Sequence, residues 1–224
     1  MSSLLSSTDK GLQYKIEMKN LAPVETNQEQ IRAFVALELP ENAIKFLDEI
    51  AAVLKQSRAD IRWTRIASIH VTLKFLGNIE VSRISDVEQA IEPVFGSQTP
   101  FVTAISGLGG FPNLMRPRVI WAGLDDSLGH LGRMVGLIDS ALDNLGFERE
   151  TRPYNPHLTL GRTKSDKGKD TLVDSIRNLE CKGPSFELDR ATLFQSILGR
   201  NGPRYTPISM FNFGKKTSSE EIRA

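Results

Sequence analysis

The sequence predicts a fold that contains both helices and strands, arranged as one large domain or two lobes. Strand-like apolar segments alternate with segments whose apolar residues recur every three or four positions, as on one face of a helix. The order strand, helix, strand, helix occurs roughly twice along the chain. With 224 residues, 40% hydrophobic and 25% charged, the chain has a globular composition and can bury a sizeable core.

In the first half of the chain, residues 31–39 predict a strand. Pro40 suits the first turn of a following helix, where its missing N–H costs little. A strand that begins near His70 comes next, and a second helix follows it. The apolar stripes of these two helices are Ile44, Leu47, Ile50, Ala51 and Leu54, and then Val81, Ile84, Val87, Ile91 and Phe95.

The middle of the chain repeats this order. Residues 99–106 and 118–122 predict strands, joined by a Gly- and Pro-rich loop over residues 107–117. A long amphipathic helix follows over residues 128–145, and Gly146 is suited to end it. The stripe of this helix is Leu128, Leu131, Val135, Ile138, Leu142 and Leu145.

A strand near His157, a weaker helix over residues 171–178 and a final pair of strands complete the predicted elements. The dipeptide Asn201-Gly202 is the expected turn between the last two strands. We expect residues 30–214 to form a single domain.

The two ends of the chain are polar. We expect residues 1–29 to be a flexible extension and residues 215–224 a disordered tail. There is no secretory signal pattern and no run of about 18 or more apolar residues, so no membrane span is expected. The lone cysteine, Cys181, excludes an intramolecular disulfide and is compatible with a reducing compartment. An organellar transit peptide stays an open alternative for residues 1–29, but these residues are acidic as well as basic, so the expected location is the cytoplasm.

The pattern His-x-Thr-Leu occurs twice, at residues 70–73 and 157–160, and uses two of the three histidines. Alternate side chains of a strand share a face, so each copy presents an imidazole and a hydroxyl side by side. The opposite face can anchor each strand in a core through Val71, Leu73, Leu158 and Leu160. The pattern predicts two buried strands, each with one chemically active face.

Two histidines directed at one point are suited to acid–base catalysis. Histidine has an unperturbed pKa of about 6.5 and serves as acid or base near neutrality. One ring can take a proton from an attacking water while the other gives a proton to a leaving oxygen. The threonine hydroxyls can donate hydrogen bonds to phosphate oxygens. This combination favours phosphodiester cleavage without a metal ion or a cofactor.

Other interpretations of the histidines stay open at this point. A single histidine on a strand is more often structural than catalytic, although a repeated motif argues against coincidence. A zinc site fits poorly, because the chain has no His-Glu-x-x-His sequence and only Cys181 as a thiol. The third histidine, His130, lies on the polar flank of a predicted helix and is expected at the surface.

The chain resembles the RNA 2',3'-cyclic phosphodiesterases, also described as 2'-5' RNA ligase-like proteins, of the two-histidine (2H) phosphoesterase superfamily. The resemblance runs from about residue 31 to about residue 213. Beyond the two motifs it rests on residues 32–40, 61–63, 74–77, 109–112, 116–121 and 152–156.

The resemblance implies an α+β, bilobal fold in which each half of the chain forms an antiparallel sheet flanked by helices, with a central cleft lined by the motif strands. It implies that His70 is the general acid and His157 the general base. Thr72 and Thr159 match phosphate-binding hydroxyls, and Arg162 matches a substrate-facing arginine. The implied reaction converts an RNA 2',3'-cyclic phosphate end, or a cyclic nucleotide, to a 2'-phosphomonoester without metal or cofactor. We expect a monomer.

Arg162 stands five residues after His157 and would face away from it on a regular strand. The implied role therefore needs the strand to end or kink, which Gly161 permits. Because the net charge is only +1, RNA binding must rely on a local basic groove. The groove candidates are Lys74, Arg116, Arg118, Arg152 and Arg162. The candidate aromatic platforms for a base are Phe34, Phe75, Phe111 and Tyr154.

Two rival functions remain. The nearer is another 2H enzyme that acts on a small cyclic phosphate or a 2'-5' linkage, including the reverse ligation of RNA ends, since the same acid and base serve both directions. The more distant is a non-catalytic RNA-end-binding module, against which the intact motifs argue. ATP-dependent ligation is not indicated, because residues 107–110 lack the lysine of a phosphate-binding loop and are expected to form a turn.

Overall fold

The computed structural model describes residues 29–199 and 202–214. Within this part, the chain forms nine strands and four α-helices. In order they are β1 (Gln30–Leu37), α1 (Glu41–Lys55), β2 (Ile61–Trp63), β3 (Val71–Glu80), α2 (Ile84–Gly96), β4 (Phe101–Phe111), β5 (Val119–Leu124), α3 (His130–Asp143), β6 (His157–Thr163), α4 (Lys169–Asn178), β7 (Lys182–Leu188), β8 (Arg190–Gly199) and β9 (Gly202–Asn212). The predicted extension up to residue 28, the tail over residues 215–224 and Asn201 of the predicted turn lie outside the described residues.

The strands form two antiparallel sheets, with the orders β3-β1-β8-β9 and β2-β6-β5-β4-β7. The α+β class with two antiparallel sheets is therefore confirmed. The expectation that each half of the chain forms one lobe is wrong. β1 pairs with both β3 and β8, so the first sheet joins the beginning and the end of the domain, while β2 and β4 to β7 form the second.

The helices divide between the two sheets. α2 and α3 pack against each other and contact β9 and β3 of the first sheet, whereas α1 and α4 contact β7 and β4 of the second. Their buried faces follow the predicted apolar stripes except at Val81 and Leu128, which precede α2 and α3 and are 41% and 70% exposed. Gly146 has a φ of +79° shortly after α3 ends, as expected of a helix-ending glycine. No helix in residues 29–199 is long and apolar enough to cross a membrane.

β4 corrects the prediction of a turn at residues 107–110. These residues continue the strand, and the loop before β5 is correspondingly shorter. Gly107 has a φ of +76° beside a register shift between β4 and β5, so the strand bulges where it was expected to end. At Gly109, a Cβ would come within 2.3 Å of the Trp121 ring. Two of the glycines therefore serve a bulge and a close approach inside a sheet.

Two strands, β2 and β7, are not predicted by the sequence. β2 is only three residues long and pairs with β6. β7 contains Gly183 and Pro184, which obscure its alternating pattern, yet Phe186 and Leu188 point into the core. Because β7 is the last strand of its sheet, its proline needs no N–H on the outer side.

Candidate active site

Both motif histidines lie at the start of a strand and are held in the same way. His70 immediately precedes β3, and His157 is the first residue of β6. The Nδ1 of His70 is 2.9 Å from the carbonyl oxygen of Ser68, and the Nδ1 of His157 is 2.8 Å from that of Asn155. A carbonyl oxygen only accepts, so each Nδ1 carries the hydrogen and donates it. Each ring therefore keeps Nε2 as the nitrogen that can exchange a proton with a ligand.

The two faces of the motif strands differ as the sequence predicts. The four apolar side chains Val71, Leu73, Leu158 and Leu160 are buried in the core. On the opposite face, Thr72 and Thr159 line a cleft of about 700 Å³ together with His70. Side chains from both sheets line this cleft, so it lies between the two sheets.

A bulge occurs at the same place in both motif strands. The pairing of β3 with β1 skips Leu73, and the pairing of β6 with β5 skips Leu160; each stands three residues after its histidine. An inserted residue reverses the alternation of side chains beyond it. Phe75 and Arg162, each five residues after its histidine, consequently line the cleft. The kink that Arg162 requires is thus present, and Leu160 is the inserted residue.

His157 does not line the cleft volume itself, but it is electrostatically linked to the groups that do. Its charge contributes to lowering the pKa of His70, and the charge of Arg162 contributes to lowering the pKa of His157. The structure therefore brings His70, Thr72, Thr159 and Arg162 to one cleft, with His157 beside them.

The cleft has a basic lining. Arg32, Arg62, Arg65 and Arg162 line it, and the lining residues within the described part of the chain include no aspartate or glutamate. Arg65 donates a hydrogen bond to the carbonyl oxygen of Pro203, at 2.6 Å, which ties the residues before His70 to β9. A cleft lined by charges of one sign concentrates the opposite charge, so this site is suited to an anionic ligand.

Aromatic rings surround His70. Phe34 stacks on its imidazole with ring centres 4.8 Å apart, and Tyr205 meets it edge-on at 5.1 Å. Phe194 also stacks on Phe34, with ring centres 5.3 Å apart, and its ring centre is 6.4 Å from that of His70. Phe34, Phe194 and Tyr205 belong to a small apolar cluster on the cleft face of the first sheet. Among the described residues, the aromatic neighbour of His157 is Phe111, which approaches edge-on with ring centres 4.9 Å apart.

Burial shifts the pKa of both histidines in the same direction. Burial lowers the pKa of His70 to about 4, opposed by its hydrogen bond to Ser68. Burial also lowers the pKa of His157, opposed by the carbonyl oxygen of Asn155. In the free protein near pH 7, His70 is accordingly neutral. An anionic ligand favours the protonated form of either ring and raises its pKa.

Four of the five basic-groove candidates lie elsewhere. Arg116, Arg118 and Arg152 are exposed but do not line the cleft, and Arg152 forms an ion pair with Glu150. Lys74 is buried and forms an ion pair with Asp139 at 2.6 Å. Lys74 is buried because the bulge at Leu73 places it on the buried face of β3.

The four candidate platforms for a base differ in their exposure and contacts. Phe34 is buried against His70, Phe111 is half-buried against His157 and Trp121, and the Tyr154 hydroxyl bonds to the backbone. Phe75 alone of the four is exposed, at 64%, while lining the cleft. It is the most exposed of the four to a ligand in the cleft.

His130 departs from its expected surface position. It is half-buried at the start of α3, and its ring stacks on Phe101 with centres 4.9 Å apart. In residues 29–199 and 202–214, no group of three or more His, Cys, Asp or Glu side chains is arranged to hold a metal ion.

Sequence reasoning missed several residues of the cleft. Arg32 and Arg62 stand within segments that carry the family resemblance, and Arg65 stands five residues before His70, so a signal for these three existed. No sequence signal pointed to Tyr205, because it reaches His70 from β9, near the end of the described residues.

Two antiparallel sheets that bring a pair of His-x-Thr motifs to one cleft define the class of two-histidine phosphoesterases. This chain belongs to the family described as LigT like phosphoesterase, whose model matches residues 37–121 and 124–205.

Similar proteins agree with this family. A protein of Methanothermobacter thermautotrophicus is 31% identical over 185 residues, covering 81% of this chain and 98% of its own. One of Methanocaldococcus jannaschii is 34% identical over 183 residues, covering 80% and 98%. Both are named RNA 2',3'-cyclic phosphodiesterase.

Solved structures share the fold. A crystal structure of a Thermus thermophilus protein has a TM-score of 0.71 at 23% identity and covers 83% of this chain and all of its own (100%). Escherichia coli LigT complexed with 3'-AMP has a TM-score of 0.67 at 23% identity, covering 83% and 99%.

Proposed function

We propose that this protein hydrolyses the 2',3'-cyclic phosphate at an RNA end to a 2'-phosphomonoester by metal-independent two-histidine catalysis. The observation that carries the proposal is the matched setting of His70 and His157, each with Nδ1 bonded to a backbone carbonyl and Nε2 left for proton transfer. The names of the two archaeal relatives support the substrate class.

In this proposal, Thr72 and Thr159 donate hydrogen bonds to the non-bridging oxygens of the cyclic phosphate. Nε2 of neutral His157 takes a proton from a water molecule as the water oxygen bonds to phosphorus. The bond from phosphorus to the 3' oxygen breaks, and protonated His70 gives its Nε2 proton to that oxygen. Proton exchange with solvent then restores both rings. Arg162 offsets the negative charge that grows on the phosphate.

The acid role requires His70 to be protonated when substrate is bound, although its pKa is about 4 in the free protein. Raising that pKa to near 7 needs about 4 kcal/mol of favourable interaction with the protonated ring. One phosphate charge about 4 Å away supplies about this much at an effective dielectric constant of about 20. The charge of a bound phosphate is therefore of the size needed to keep His70 protonated. A bell-shaped pH dependence is expected.

The lining and the size of the cleft favour RNA over a small cyclic phosphate as the substrate. Arg32, Arg62 and Arg65 extend the basic lining beyond the two threonines, and a volume of about 700 Å³ leaves room for more than the reacting phosphate. A chain of phosphates has charges to match such a lining, whereas an isolated cyclic phosphate has one.

The decisive experiment is hydrolysis of a nucleoside 2',3'-cyclic phosphate by purified protein in EDTA, with the product's phosphate position assigned by phosphorus NMR. We expect a 2'-phosphate from the wild type and a loss of about 10²–10⁴-fold or more in rate for His70→Ala and for His157→Ala. His130→Gln, outside the cleft, is the matched control and keeps wild-type turnover. Turnover only with added metal, or a 3'-phosphate product, would contradict the proposal.

A further inference from the structure

The connection that leads to His157 is irregular. Residues 144–156, between the end of α3 and the start of β6, contain no helix and no strand. A connection of this kind has no backbone ladder to fix its path. Its last residues lead directly into His157, which pairs with Gly123 at the start of β6, whereas His70 precedes a strand of the other sheet.

One hydrogen bond links this connection directly to the first motif. The Tyr154 hydroxyl donates to the backbone carbonyl oxygen of Thr72 at 2.9 Å. Thr72 is two residues after His70, and Tyr154 is three residues before His157. The two histidines are therefore joined across the cleft by a short path that contains a single hydrogen bond.

A buried ion pair links the same two segments a second time. Lys74 of β3 pairs with Asp139 of α3 at 2.6 Å and also donates to the carbonyl oxygen of Glu148. The Asp139 carboxylate accepts a hydrogen bond from the backbone N–H of Glu150 at 3.3 Å. β3, α3 and the connection are thus held together at two points, and both points lie beside the motif residues.

We propose that Tyr154, supported by Lys74, is a positioning residue that sets the spacing between His70 and His157. This inference rests on the proposed two-histidine mechanism, in which both Nε2 atoms must reach opposite sides of one phosphorus. A displacement of about 1 Å in such an arrangement can cost about 10²-fold in rate. Burial raises the pKa of the Tyr154 phenol, so its hydroxyl remains a donor throughout the working pH range.

The kinetic test is Tyr154→Phe, which removes one hydroxyl and keeps the packing of the ring. We expect kcat for a nucleoside 2',3'-cyclic phosphate to fall by about 10- to 100-fold, with KM changed by less than about 3-fold. Arg149→Gln is the matched control, because it removes a surface ion pair with Asp143 from the same connection and should leave kcat unchanged. Ile138→Val in α3 controls for a small loss of stability.

The second test needs no substrate. The pKa of His70 is measured by NMR with and without His157→Gln, first in the wild-type background and then in Tyr154→Phe. Since the charge of His157 lowers the pKa of His70, removing it should raise that pKa. The rise should be smaller in Tyr154→Phe, where the rings are no longer held together. This result separates the positioning role from the proposed reaction, because it holds even for a protein without turnover.

Lys74 is tested by the double replacement Lys74→Met with Asp139→Leu, which avoids leaving one charge buried alone. It should lower kcat in the same direction as Tyr154→Phe. The inference is overturned if Tyr154→Phe keeps kcat within twofold of wild type, whatever its Tm. It is also overturned if only KM rises, which would place Tyr154 in ligand binding, or if the effect of His157 on the pKa of His70 is undiminished.

Discussion

Arg62 and Arg162 lie directly opposite each other on the neighbouring strands β2 and β6, and both line the cleft. Like charges that face each other across an antiparallel pair destabilise the sheet. Neither arginine forms an ion pair within the described part of the chain. An anionic ligand between them would remove the repulsion. The pair therefore lowers the stability of the free protein and favours binding of an anion.

Arg62→Gln should therefore weaken binding without weakening the fold. We expect KM for an oligonucleotide with a 2',3'-cyclic phosphate end to rise about 5- to 20-fold and its salt dependence to become shallower. KM for a cyclic mononucleotide should stay within about twofold, and Tm should stay equal or rise, because the repulsion contributes about 0.2–1 kcal/mol. Arg116→Gln, exposed but outside the cleft, serves as the control. Equal losses on both substrates would contradict a role in binding the RNA chain.

Phe75 should act on the base of the terminal nucleotide. Its ring is exposed in the cleft, and stacking of a base on an aromatic ring is worth about 1–3 kcal/mol. Phe75→Leu should raise KM for a nucleoside 2',3'-cyclic phosphate by about 10-fold or more and leave kcat and Tm nearly unchanged. An abasic ribose cyclic phosphate provides the control substrate, on which the variant and the wild type should not differ. A loss of the same size on that substrate would refute stacking.

The acid and base roles can be told apart by the leaving group. An aryl phosphodiester that releases 4-nitrophenolate needs no general acid, since that anion leaves without a proton. His70→Ala should cleave it within about 10-fold of the wild-type rate, whereas His157→Ala should remain about 10²–10⁴-fold slower. Assays of both variants on the cyclic phosphate are the control, and both should lose activity there. The reverse pattern would exchange the two roles. The comparison matters because a pKa of about 4 leaves His70 unprotonated near pH 7 in the free protein, whereas an acid must be protonated.

The burial of His70 should make the protein sensitive to acid. Above about pH 6.5 its imidazole is neutral in both the folded and the unfolded chain; between about 6.5 and 4 the unfolded chain binds a proton that the folded protein does not. The free energy of unfolding should therefore fall by about 2–3 kcal/mol from pH 7 to pH 4.5 on account of this residue. Urea denaturation at both pH values, for wild type and His70→Gln, measures the difference. An identical pH dependence in the two proteins would be inconsistent with a depressed pKa for His70.

Much of the local structure could be predicted because it depends on residues close together in sequence. The motif strands with their buried Leu and Val residues follow from alternation, and the helix over His130–Asp143 follows from its apolar stripe and Gly146. The kink before Arg162 could be stated as a requirement, but its location at Leu160 depends on how β6 pairs with β5.

What could not be predicted depends on pairing between distant segments. Lys74 is next to the first motif, yet the bulge at Leu73 sends it into the interior toward Asp139. Tyr205 contacts His70 only because β9 joins β8, which joins β1. The expectation of one lobe per half of the chain fails for the same reason, since alternation within a segment does not say which strand will be its neighbour.

The pairing of β1 with β8 also determines when the cleft can exist during synthesis. Val35 lies opposite Leu193, so β1 must wait for nearly the whole domain to leave the ribosome before it gains this partner. Phe194 and Tyr205, which complete the surroundings of His70, arrive with the same late strands. A nascent chain that has already exposed both His-x-Thr motifs consequently lacks part of one wall of the cleft, which is complete only when the chain is nearly finished.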